Sequence, residues 1–63
     1  MSFTTRFVIV SKTGKYLHEA DGKLVWRRVV ERHSAKQFDT VEEARPVALR
    51  VKAYAIEPLG VRN

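Results

Sequence analysis

The apolar positions of this chain follow two different periods. In "TRFVIVSK" (5–12) a short run of β-branched and aromatic residues reads as a strand. If extended, it sends Phe7 and Ile9 to one side and Val8 and Val10 to the other. "KTGKY" follows, with Gly14 able to take a positive-φ turn position. "KYLHEA" reads as a short second strand closed by Asp21-Gly22, a dipeptide suited to tight hairpins. "KLVWRRVV" (23–30) reads as a third strand, with Leu24, Trp26 and Val30 on one face and Val25 and Val29 on the opposite one. Beyond it, "ERHSAKQF" either prolongs the strand or turns before a brief extended piece at 36–38.

The period then changes. Val41, Ala44, Val47, Ala48, Val51, Tyr54 and Ala55 recur at helical spacing and form one stripe, with Leu49 outside it and Arg45 and Arg50 turned to water. Thr40 followed by Glu43 fits a capping box, and Asp39 with Glu42 fits the same pattern one residue earlier. Pro46 conflicts with these signals: it lacks the N–H that would bond the Glu42 carbonyl, a loss that costs about 3 kcal/mol in a helix interior. A bend at Pro46, or a helix proper that begins there, resolves the conflict structurally. The tail "YAIEPLGV" reads as a last strand through about Ile56, ended by Pro58 and Gly60. The expectation is an α+β fold, a single domain over 1–63. It is a three- to four-stranded antiparallel sheet packed on one helix, in the order β-β-β-α-β.

A chain of 63 residues lies near the lower size limit for unaided folding, so its net stability should be about 3–5 kcal/mol. It has no cysteine, which leaves no disulfide or thiolate metal site to reinforce it. The apolar run "FVIV" is too short for a signal-peptide core or a membrane span. The expectation is a cytoplasmic protein with no membrane association. Charge is uneven: in 1–38, eight Lys or Arg face three acidic residues, whereas in 39–63 four face four. The whole net charge of +5 therefore lies in the strand-forming part.

Candidate chemistry is sparse. His18 and His33 lie on different elements without the converging ligands a metal needs, and His18 reads as a surface hairpin residue. His33 and Ser34 are neighbours that would point to opposite faces of a strand. No glycine-rich phosphate loop is present, and Glu42 and Glu43 are accounted for by the helix start. So small a chain has little room to enclose a pocket with catalytic groups. These points predict a non-enzyme with no cofactor, no metal and no small-molecule substrate.

One helix can cover only one face of a sheet, yet both faces carry apolar groups. Val8, Val10, Val25 and Val29 are thus the candidate protein interface, for a second copy of the chain or another protein. The alternative use of the strands is nucleic-acid binding, with Arg27, Arg28, Arg32 and Lys36 tracking phosphates beside Trp26.

The residues Tyr16, Leu17, Trp26, Ala35, Phe38, Thr40, Glu43, Ala44, Ile56 and Pro58, within "FVIV…GKYL…ADG…W…A..FDTVEEA…YAIEPL", resemble a group of small uncharacterised proteins of phages, prophages and bacteria. The likeness spans about Phe7 to Leu59 and implies a β-β-(β)-α-β fold without implying an activity. This chain departs from the pattern in the long "RRVVERHS" between Trp26 and Ala35. A looser resemblance, carried by Trp26, Arg28, Phe38, Thr40, Glu43 and Ala44, is to the amino-terminal arm-DNA-binding domains of phage-type integrases. That likeness implies DNA binding, but those domains lack the final strand expected here.

Overall fold

A computed structural model describes residues 2–28 and 34–62. Strands β1 (Phe3–Val10), β2 (Tyr16–Ala20) and β3 (Lys23–Arg27) precede helix α1 (Val41–Arg50) and strand β4 (Ala55–Arg62). The strands form one antiparallel sheet in the order β3-β2-β1-β4, with α1 against one face. The α+β class and the antiparallel sheet on one helix are as the sequence predicts.

The turns are local and follow from composition. Asp21 and Gly22 both have positive φ, 52° and 75°, as a two-residue hairpin of the mirror-image type requires. The loop from Ser11 to Lys15 closes on itself. The Ser11 N–H donates to the Lys15 carbonyl at 2.8 Å, the Gly14 N–H to the Ser11 carbonyl at 3.1 Å, and the Lys15 N–H to Ser11 Oγ at 3.1 Å.

The sheet is held together by an insertion. β1 and β4 pair along all of Phe3–Val10, and β2 and β3 along all of Tyr16–Ala20, but β1 meets β2 only at Val10 and Tyr16. Past that pair the two strands diverge and the chain at 36–38 fills the gap. The Phe7 N–H donates to the Phe38 carbonyl at 2.9 Å and the Phe38 N–H to the Phe7 carbonyl at 2.8 Å; on the other side, the Lys36 N–H donates to the Leu17 carbonyl at 2.9 Å. Since the other edges of β1 and β2 are occupied by β4 and β3, these bonds lie in the gap. The brief extended piece expected at 36–38 is therefore a wedge that supplies the missing main-chain partners.

On the helix side, Ile9, Leu17, Phe38 and Ala44 form the buried centre, with Phe7, Leu24, Trp26, Val47, Ala48, Val51 and Ile56 packed around it. The opposite face differs from expectation. Val8 is fully buried and Val10 is only 6% exposed, so neither belongs to an uncovered face. Leu59, from β4, and Ala35, beside the wedge, pack on Val8, with Tyr16 and Val61 against them. Tyr16, on β2, sends its hydroxyl across β1 to Glu57 Oε1 on β4, at 3.2 Å. A central strand flanked by large residues on both sides is covered by its neighbours without any second layer.

Several boundaries also move. The first strand starts at Phe3 and ends at Val10, because Ser11 and Lys12 belong to the closed loop. The third strand ends at Arg27; its predicted continuation through Val29 and Val30, and the site residue Arg32, lie outside the described residues. β4 runs straight through Pro58 and Gly60. Phe7 spends both backbone groups on Phe38, so its pair with Pro58 carries no β1–β4 hydrogen bond and the Pro58 nitrogen faces the free edge. There a proline costs no ladder bond and leaves the edge short of one donor.

α1 starts at Val41, with the Glu43 N–H donating to the Thr40 hydroxyl at 3.1 Å and the Asp39 N–H to Glu43 Oε2 at 3.3 Å. It continues through Pro46, which excludes a start at that proline; Pro46 is exposed. The helix stops at Arg50 because Lys52 turns to φ 56°, so Tyr54 and Ala55 leave the predicted stripe. Among the described residues no helix is long and apolar enough to cross a membrane.

Two substitutions test this architecture. Phe38→Ala removes a buried ring from the wedge and should cost about 3–5 kcal/mol, comparable to the whole stability of so small a domain. Circular dichroism should then show a largely unfolded chain at 25 °C, and a cooperative melt near the wild-type midpoint would contradict the role given to the wedge. Pro58→Thr restores an outward N–H, so light scattering should show concentration-dependent association that the parent chain lacks.

Candidate functional site

Three large apolar side chains are exposed among the described residues: Phe3 at the start of β1, and Leu49 and Tyr54 at the end of the helix and just after it. Leu49 is 75% and Tyr54 is 69% exposed. They flank a cleft of about 260 Å³ between α1 and β4, floored by Val41, Ala48 and Ile56 and edged by Arg45. Tyr54 also borders a second concavity, of about 330 Å³, which it shares with Lys12 and Lys52.

Short-range geometry places each of these groups. The Val51 N–H donates to the Val47 carbonyl at 3.0 Å and the Lys52 N–H to the Leu49 carbonyl at 3.3 Å. After the left-handed Lys52, the Ala53 N–H returns to the Ala48 carbonyl at 2.9 Å. This cap ends the helix and swings Tyr54 outward, where its N–H donates to the Val10 carbonyl at 3.0 Å, fixing it beside the end of β1. Lys12 projects from the closed Ser11–Lys15 loop that follows the same strand. Lys12, Arg45 and Lys52 are exposed and have no ion-pair partner among the described residues.

Of the residues singled out from the sequence, the described ones fall on both faces of the sheet. Arg27 shares its face with Val25 and pairs with Tyr16, whereas Trp26 packs on the helix side. Arg28 is exposed just beyond β3. Lys36 lies on the helix side, with Nζ 3.2 Å from Glu19 Oε1 and 5.4 Å from the centre of the Phe38 ring. Its charge is thus engaged within the fold. Arg32 and Val29 lie outside the described residues, Val25 is half-buried, and Val8 and Val10 are core. Tyr54, Lys12, Lys52 and Arg45 come from separate segments that no sequence pattern groups; Leu49, an apolar residue off the helical stripe, is the signal the sequence carries.

His18 is not a surface residue. It occupies the central part of the second sheet face, 8% exposed, and its Nε2 has no hydrogen-bond partner among the described residues. Burial, and secondarily the positive charge of Arg27, lower its pKa from the ordinary 6.5. Tyr16, Val25 and Arg27 share its face by register, as do Arg6 and Glu57 on β1 and β4. Arg6 is itself paired with Asp39, Nη2 to Oδ1 at 3.1 Å. Among the described residues no group of three or more His, Asp or Glu is placed to hold a metal ion.

Comparison with protein-family models, with curated proteins and with solved structures finds no match to this chain.

The buried His18 gives a signed pH dependence. With the folded-state pKa below 6.5, the unfolded chain takes up a proton that the folded one refuses as pH falls. Stability contributed by neutral His18 is therefore full above about pH 7.5 and declines as pH falls through the unfolded value toward the lower folded one. Urea midpoints measured from about pH 7.5 to about pH 5.5 should drop in the parent chain and drop less in His18→Gln. Equal slopes would show that His18 protonates without resistance.

Proposed function

We propose that this chain is a small non-catalytic interaction module that seats an apolar side chain of another protein in the cleft between α1 and β4. The observation that carries this reading is the pair Leu49 and Tyr54. They are large and exposed, and both line one concavity together with the aliphatic Val41, Ala48 and Ile56. A domain this short of core has no structural use for two such side chains in water, and a concave apolar patch with a polar rim fits the anchor of a protein partner. The expected interface moves accordingly from the centre of the sheet to the helix rim. Another protein is favoured over a second copy for two reasons. The centre of the second sheet face is closed by Tyr16, Leu59 and Ala35, and Pro58 blunts the free edge along which two copies would pair.

Amide chemical shifts test the reading. Capped leucine and phenylalanine amides at millimolar concentration should shift Ala48, Leu49, Ala53, Tyr54 and Ile56 together, and leave Val25, Arg27 and Arg28 in place. Leu49→Ser, an exposed change expected to alter stability by no more than about 0.5 kcal/mol, should weaken that response. Shifts centred on Val25, or none, would remove the cleft as the docking surface. Two chains per particle in light scattering of the parent protein would replace the foreign partner with a second copy.

A further inference from the structure

Resting on the cleft reading, we infer that the segment this module takes is acidic: an apolar anchor lodged between Leu49 and Tyr54, with carboxylates on both sides of it. The inference comes from charge placement around the cleft. Arg45 edges the apolar floor on the helix side, and across Tyr54 the neighbouring concavity is walled by Lys12 and Lys52. These three cations come from the helix, the β1–β2 loop and the turn after the helix. The loop and the turn are fixed by their own hydrogen bonds, so Lys12 and Lys52 project from a preorganised backbone.

Their state contrasts with the cations used by the fold. Arg6 is paired with Asp39, and Lys36 with Glu19, while Arg45, Lys12 and Lys52 meet no carboxylate among the described residues. A partner whose anchor fills the cleft brings its flanking residues over these positions. Carboxylates there gain three ion pairs, whereas lysines would be repelled. The net charge of +5 draws such a segment in from a distance. A nucleic-acid strand would satisfy the cations too. The floor of Val41, Ala48 and Ile56, however, offers aliphatic surface and no side-chain donor or acceptor for a base edge, which favours a leucine-like anchor.

The probes are capped pentapeptides with leucine at the centre and either glutamate or glutamine at the other positions, alongside a thymidine decanucleotide. Amide shifts of the intact chain provide the readout. The glutamate peptide should bind roughly tenfold tighter than the glutamine peptide at low salt, as three partly exposed ion pairs allow. That advantage should shrink as ionic strength rises from about 50 mM to about 500 mM. The double variant Lys12→Gln with Lys52→Asn, in which asparagine tolerates the left-handed backbone, should lower affinity for the glutamate peptide toward that for the glutamine one. Equal affinities for the two peptides at low salt would overturn the acidic preference and leave the cleft reading standing. No cleft shift with either peptide would remove the cleft reading itself. If the decanucleotide shifts Tyr54 at lower concentration than the glutamate peptide does, the site is a nucleic-acid site and the inference is wrong.

Discussion

The main-chain pairing of the 36–38 segment is the constraint on which this fold depends. β1 and β2 share one residue pair, which alone would leave a hairpin splayed open with unpaired backbone groups on two inner edges. The reciprocal Phe7–Phe38 bonds and the Lys36–Leu17 bond close that gap. The wedge does more than hydrogen-bond. Its pleat sends Phe38 to the helix side, into contact with the Ile9, Leu17 and Ala44 centre, and Ala35 lies on the other side against Val8. One short segment thus contributes to both apolar clusters, which is how a 63-residue chain obtains a core on each side of its sheet.

Closure of the second face follows from the same economy. The described residues hold no second helix, and the covering among them is done by side chains lying across the sheet: Tyr16 reaching toward Glu57, and Leu59 and Ala35 over Val8. The cost is visible in two buried nitrogens without partners among the described residues, Arg6 Nε and His18 Nε2. Each carries a penalty of about 1–3 kcal/mol if no water reaches it. Both lie on the sheet face opposite the helix, which places polar compromise on the side without a helical layer. Apart from Phe3 at the start of β1, the exposed large apolar groups lie at the helix rim, where Leu49 falls outside the stripe that packs on the sheet.

What the sequence reveals and conceals divides along interaction range. The Thr40–Glu43 cap, the Asp21-Gly22 turn and the position of Gly14 were legible because each is decided by residues within a few positions of one another. The alternation that puts Phe7 with Ile9, and Leu24 with Trp26, was legible; that the helix covers this face and not the other is seen only in the structure. The burial of Val8 and Val10 was not legible, because it depends on Ala35, Tyr16 and Leu59, whose proximity exists only once the wedge is seated. Pro58 illustrates a subtler limit. Proline ends a strand when its nitrogen faces a neighbour and is tolerated when it faces an edge, and that parity is set by Phe7 turning its backbone toward Phe38. Tyr54 and Ala55 fit either the helical stripe or the last strand in the sequence, because helical spacing continues past the point where Lys52 adopts a left-handed turn.

The candidate site was hidden for the same reason, and the manner of its hiding bears on how the basic charge should be read. Counting lysines and arginines along the strands pointed to Arg27, Arg28, Arg32 and Lys36, yet register separates Arg27 from Lys36 by the thickness of the sheet, and Lys36 is neutralised by Glu19. Lys12, Arg45 and Lys52 are spread through the sequence and belong to three different segments. The closed loop after β1, the Val10–Tyr54 hydrogen bond and the left-handed turn after α1 bring Lys12 and Lys52 to one concavity beside Tyr54, and Arg45 lines the cleft that Tyr54 shares. Charge that a fold gathers from distant segments and leaves without partners differs from charge that merely follows strand composition. Solubility needs cations anywhere on the surface, whereas recognition needs them beside something a partner can fill. Here that something is the aliphatic floor between Leu49 and Tyr54.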